Sequence, residues 1–249
     1  MIRVEILGLE EALRNLDQAA REQIPFATAR ALTRTAQRAQ AATYAEMRRV
    51  FDRPTPFTLS ALRVSPAAKA RLEAAVQVKD EATKATTAIK AIGHQMTGGP
   101  RWWKRSEGAL RRLGLLAEGE NAVPAAGAKL DAFGNMSRGQ IVQILSWFQA
   151  FGEQGYRANT SAESRTKKAR GTARTRGVGY YYRRDAPGRG VYMRVQTGFG
   201  SAIKPVLLFV RRANYTKRLD MPAVVARTVD EQFAREFAQA FREAMQSAR

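Results

Sequence analysis

The side chains able to do chemistry in this chain point to binding. Arg101-Trp102-Trp103-Lys104-Arg105 sets two indoles among three cations, a cluster that can stack bases, clamp phosphate or anchor a protein interface. Arg30, Arg34 and Arg38 recur every fourth residue. A helix lines such residues up along one side, where they are solvated, turned to a polyanion or shared across a subunit contact. From Tyr156 to Arg189 stand ten Lys or Arg, including Arg165, Lys167, Lys168, Arg170, Arg174 and Arg176, against only Glu163 and Asp185. These three groups are the candidate contacts for a partner or for DNA.

Catalytic groupings are missing. There is no cysteine and one histidine, His94, which rules out disulfides, thiolate metal sites and histidine clusters, so His94 reads as a hydrogen-bonded loop residue. Gly177-Val178-Gly179 begins like a dinucleotide loop, but Tyr182 stands where the third glycine belongs, and phosphate-loop spacing is absent. Asp131, Asp185 and Asp220 are isolated in turn or cap contexts, where Asp serves local hydrogen bonding. No nucleophile has a plausible base, and a nuclease is disfavoured for want of acid clusters. The expectation is a protein that is not an enzyme and uses no cofactor or metal.

Charge is the abnormal quantity. Forty-two Lys and Arg against 22 Asp and Glu give a net charge of +20 over 249 residues. A field of that size favours nucleic acid, an anionic surface or an acidic protein. The opening residues lack the apolar run of a signal peptide, and no stretch approaches the length of a membrane span. A soluble protein made in a cytoplasm, with no membrane partner, is expected.

The elements that must position these residues follow from periodicity. Ile2, Val4 and Ile6 alternate as a strand that ends at Gly8, and Leu9, Leu13 and Leu16 share a face of a short helix, Leu9 to Gln23. Pro25 presets its dihedral at a first helical position, and the alanine-rich run to Phe51 predicts a helix of about 40 Å. Its second stripe, Ala29, Leu32, Ala36, Ala39, Met47 and Val50, is small enough to admit another backbone closely. Leu72 to Val78 and Thr86 to Ile92 read as a hairpin, Ser106 to Leu113 as a basic helix and Asn121 to Pro124 as a strand. Ser137 caps a buried helix whose face is Ile141, Ile144, Leu145, Phe148 and Phe151, with Gln140 completing a capping box. Few apolar groups and many like charges make 156–189 an extended or mobile basic loop. Tyr180–Tyr182, Val191–Gln196 and Ile203–Val210 predict three strands of one sheet, and Asp220-Met221-Pro222 starts a last helix with Val225, Val229, Phe233, Phe237, Phe241 and Met245 every fourth residue.

The opening Val4-Glu5-Ile6-Leu7-Gly8-Leu9-Glu10-Glu11-Ala12-Leu13, with Ile24-Pro25-Phe26-Ala27-Thr28-Ala29-Arg30-Ala31-Leu32-Thr33-Arg34-Thr35-Ala36, resembles the minor tail protein Z and tail-completion (neck) proteins of long-tailed phages and prophages. Asp131-Ala132-Phe133-Gly134-Asn135-Met136-Ser137-Arg138-Gly139 and Ile203-Lys204-Pro205-Val206-Leu207-Leu208-Phe209-Val210 are similar to segments recurrent in phage structural proteins. The resemblance implies a structural virion protein at the neck, in a homo-oligomeric ring of six by analogy with tail symmetry, that completes the tail and joins it to the head. Its implied partners are the tail terminator, tail tube or head-tail connector, with genomic DNA in the channel, and the family has no catalytic motif. The basic loop departs from that pattern. The expected fold is α+β, a single domain over residues 1–249 with a central antiparallel or mixed sheet packed by long helices and a basic loop or arm inserted at 156–189. The alternative reading is a sequence-nonspecific nucleic-acid-binding module.

Overall fold

A computed structural model describes residues 2–4, 18–80, 87–172, 175–185, 188–212 and 214–247. In chain order β1 (Ile2–Val4), α1 (Gln18–Val50), α2 (Pro56–Leu59), β2 (Leu62–Ser65), β3 (Ala74–Val78) and α3 (Ala88–Thr97) come first. Then follow α4 (Arg105–Arg112), β4 (Glu120–Pro124), α5 (Arg138–Trp147), α6 (Ala162–Arg170), β5 (Gly171–Thr172) and β6 (Thr175–Arg176). The chain ends through β7 (Val178–Arg183), β8 (Gly190–Thr197), β9 (Gly200–Arg211) and α7 (Met221–Ser247). The class is α+β with antiparallel sheets. Contacts divide the chain into two compact bodies, 1–99 with 215–249, and 100–214.

In the first body α1 and α7 run antiparallel, because Arg34 reaches Glu243 while Arg38, one turn later, reaches Glu236. Ala27 and Ala31 meet Ala240 and Ala244, all four fully buried, so the two backbones approach as closely as methyl groups permit. Phe233, Phe237 and Phe241 stack ring on ring beside this seam. Farther along, Leu32, Ala36, Ala39 and Met47 pack with Val76, Ile92 and Val225 beneath the three-stranded sheet β1-β3-β2. Tyr44 ties that sheet to α1, its hydroxyl donating to the Leu62 carbonyl and accepting from the Leu62 amide.

Three expectations change here. Most of the short helix Leu9–Gln23 lies outside the described residues, and from Gln18 the chain is already in α1, so Pro25 sits inside the helix rather than at its start. A proline inside a helix removes one amide from the ladder and crowds the carbonyl four residues back, and burial of Ala27 and Ala31 against Ala240 and Ala244 of α7 offsets that loss. The second arm of the expected hairpin is helix α3, which buries Ala88 and Ile92 on one face. Alternation misled at this point, because alanine and lysine favour helix. β3 instead pairs with β1 and β2, Val76 lying opposite both Ile2 and Val64.

The second body holds a four-stranded sheet in the order β4-β9-β8-β7. Val178, Tyr180 and Tyr182 of β7, Val191 and Met193 of β8, and Leu207 and Phe209 of β9 face α4 and α5, whose Leu110, Ile144 and Leu145 fill the core. The register slips between Pro205 and Leu207, where proline offers no amide, and the Pro205 and Val206 carbonyls accept from Gly127 and Ala125. Ser137 caps α5 by accepting from the Gln140 amide. The Gln140 side chain turns away from the cap, accepting from Lys129 N at 2.6 Å and donating to Gly127 O at 3.0 Å.

The segment 156–189, expected to be extended or mobile, contains regular structure. Ser161 caps α6 by accepting from the Ser164 amide, Glu163 stands in its first turn, Lys167, Lys168 and Arg170 stand in its last, and Gly171 ends it at φ 75°. Caps at both ends and charges matched to the helix dipole offset the like-charge repulsion that composition emphasised. Gly177 then passes against the end of α6 so closely that a Cβ would stand 2.1 Å from the Ala169 carbonyl oxygen. The tethers Thr160–Ser146, Asn159–Phe151 and Arg165–Trp147 hold α6 to the end of α5.

Candidate interaction surface

The expected contact residues divide between the two bodies. In the first, Arg30 and Arg34 both reach Glu243, at 3.1 and 3.0 Å, and Arg38 Nε reaches the buried Glu236. Arg34, the largest influence, holds the Glu243 carboxyl below the usual carboxylate range, aided by Gln239. Two guanidinium groups on one carboxylate leave an excess positive charge. It faces a cleft lined by Phe26, Arg30, Thr33, Arg34 and Lys69.

In the second body Trp102 is 64% exposed and Trp103 41%. Their backbone is fixed by a side chain that sequence reading missed, Glu107 of α4. Its carboxylate is 1% exposed and accepts from Arg101 Nη1 at 2.8 Å, from Arg101 Nη2 at 2.5 Å, from Lys104 N at 2.8 Å and from Ala122 N at 2.8 Å. Burial pushes its pKa up, but Arg101 and the two amides together outweigh burial and hold it below the usual range. Arg101 also donates to the Trp102 carbonyl and accepts at its own carbonyl from Arg212. The Arg111 and Arg212 guanidinium groups lie over the Trp103 ring, 3.7 and 4.8 Å from its centroid. The only sequence signal for this clamp is an acid at the third position of a basic helix, a place common for capping.

Of the other candidates, Lys167, Lys168 and Arg170 are exposed on α6, Arg165 is half-buried, Arg176 is exposed on β6, and Arg174 lies outside the described residues. Sequence reading also missed a ladder on the sheet face away from α5. Arg183, Tyr192, Tyr181 and Arg194 line up in it, with the two rings stacked at 5.7 Å and each guanidinium 5.9 Å from a ring. Alternation along β7 and β8 carried that signal.

Asp131 closes a turn by accepting from Phe133 N and Asn135 N, and Asp220 accepts from Ala223 N at the start of α7, as their contexts suggested. His94 lies in the last turn of α3, not in a loop, with its ring edge-on to Tyr215 at 4.7 Å. Among the described residues no group of three His, Cys, Asp or Glu is placed to hold a metal ion, and no helix is long and apolar enough to cross a membrane. The arrangement offers surfaces for binding, cationic and aromatic.

No curated protein and no solved structure matches this chain. Residues 6–116, which include α1 and the Trp102–Trp103 loop but not α6, match the family model described as prophage minor tail protein Z (GPZ). That match, over rather less than half of the chain, bears out the resemblance carried by the amino-terminal residues.

Proposed function

We propose that this protein is a structural virion component of a long-tailed bacteriophage that forms a ring at the neck, completes the tail and joins it to the head. The observation that carries this reading is the family match over 6–116, which contains the long helix and the exposed tryptophan loop together. The surface agrees with it: exposed indoles on a fixed loop suit a protein contact, and a net charge of +20 suits acidic neighbours. Six copies, by tail symmetry, would surround the DNA path, contacting tail terminator, tail tube or connector proteins.

Electron-microscopy averaging of purified virions tests the placement. Repeated copies at the head-tail junction are expected, and density at the distal tail tip, or a single copy per particle, defeats it. The exposed Lys167, Lys168 and Arg170 favour a second reading, nucleic-acid binding blind to sequence. Changing Arg165, Lys167, Lys168 and Arg170 to Ala separates the two. Failed joining of tails to filled heads by protein that still binds DNA supports the structural reading. Lost DNA binding with normal joining, and a wild-type salt slope near −0.9 per neutralised phosphate, supports the other.

A further inference from the structure

We infer that the Trp102–Trp103 loop is the anchor for a different, acidic protein of the particle, with Trp102 entering an apolar pocket whose rim carries Asp and Glu. This rests on the reading of the chain as a virion component.

The loop is built for presentation. Four donors converge on the buried Glu107 carboxylate, and Arg212 bonds the Arg101 carbonyl, so the backbone on both sides of Trp102 is held before any partner arrives. Such pre-organisation lowers the ordering cost of binding. A 64% exposed indole on a fixed loop is the residue type and setting of an interface hot spot.

The surroundings select the partner. Lys104, Arg105 and Arg112 are exposed beside the loop, and Arg111 and Arg212 cover the Trp103 ring. A nucleobase stacking on Trp103 would compete with the Arg111 and Arg212 guanidinium groups, 3.7 and 4.8 Å from its centroid. A guanidinium stacked on a ring still presents N–H groups at its edge, which suits carboxylates. Three clefts among the described residues would not give a second copy's Trp102 an acid-rimmed pocket. The cleft at Phe26 carries Arg30, Arg34 and Lys69, the cleft at Ala169 carries Arg194, and in the cleft beside α4 the carboxylate of Glu107 is taken up by Arg101.

The test places a photo-crosslinking residue in the full chain, Trp102→p-benzoylphenylalanine, in cells producing particles, and maps adducts by mass spectrometry in purified particles and in lysate. The expected adduct joins position 102 to another particle protein, at an apolar segment flanked by Asp or Glu. An adduct to a second copy, an adduct to nucleic acid, or no adduct overturns the inference. If the chain is absent from particles, the virion reading falls, and the lysate adduct decides the anchor by the same outcomes. In parallel, Trp102→Ala is expected to weaken the contact about thirtyfold and Trp102→Phe less, both with unchanged thermal unfolding. Equal particle yields from wild type and Trp102→Ala would also overturn it.

Discussion

Glu107→Ala puts the clamp beneath the tryptophan loop to a quantitative test. The substitution removes an acceptor for four donors and leaves the Arg101 guanidinium, 12% exposed, and the interior Ala122 amide without it. Breaking a buried ion pair by deleting one partner costs about 3–5 kcal/mol, a large part of the stability of an ordinary domain. Glu107→Gln keeps the shape, but its amide nitrogen can only donate, so at most two of the four hydrogen bonds survive, an NH2 is set against two donors, and the loss should approach that of Glu107→Ala. The assay is urea unfolding followed by tryptophan fluorescence. Trp102, Trp103 and Trp147 all lie in the 100–214 body, so the signal reports that body alone. The pH dependence has a definite sign. The folded pKa of Glu107 is depressed, so its contribution is fully present above the unfolded value of about 4.3 and is lost as pH falls through the lower folded value. The gap between wild type and Glu107→Gln should therefore close in acid. A loss under about 1 kcal/mol for Glu107→Ala, with the Ala122 amide exchanging as slowly as in wild type, would refute the clamp.

Three further substitutions probe the scaffold. Ala31→Leu drives a larger side chain into the fully buried seam with Ala240 and Ala244 and should cost about 1–3 kcal/mol in thermal unfolding by circular dichroism, whereas Ala41→Leu on the exposed side should change little. Gly177→Ala places a Cβ 2.1 Å from a backbone oxygen of α6, so α6 must shift, and trypsin should cut at Arg165, Lys167, Lys168 and Arg170 faster than in wild type. Gln140→Leu strips partners from the Lys129 amide and the Gly127 carbonyl and should cost about 1–3 kcal/mol, with hydrogen exchange speeding up at Lys129.

Elements defined by strong local periodicity were legible. Ile144 and Leu145 of α5 with Phe148 at its end stand in the core that their spacing implies, and of the apolar run Val206 to Val210 in β9, Val206, Leu207 and Phe209 do so while Val210 is exposed. Errors fell where two local signals compete. Thr86 to Ile92 alternates like a strand, yet its alanines and lysine favour helix, and burial of Ala88 and Ile92 on one face decides the matter. The segment 156–189 has the composition of a disordered chain, and its order comes from single positions: Ser161 as cap, Gly171 at positive φ, and Gly177 where no side chain fits. Composition averages such positions away. The Glu107 clamp beneath the exposed tryptophans joins α4 to β4 across a separation no local pattern spans.

The arginine row shows why a helix face cannot by itself name its partner. A small apolar stripe beside Arg30, Arg34 and Arg38 demands close approach by another backbone bearing carboxylates, and either the same chain or a neighbour could satisfy it. The deciding information lies about two hundred residues away. Ala240 and Ala244 repeat the small spacing of Ala27 and Ala31, and Glu236 and Glu243 stand seven apart along α7, two turns, matching Arg38 and the Arg30–Arg34 pair in antiparallel register. Once α7 meets that demand, the seam needs no second subunit to close it. Positive charge outnumbers its acids elsewhere, on α6 with Lys167, Lys168 and Arg170 against Glu163, and beside Trp102 with Lys104, Arg105 and Arg112 exposed. Self-repulsion at such places disfavours the isolated chain and is relieved by an anionic neighbour. An assembling protein therefore gains most from a partner at those two places, and least along the arginine row.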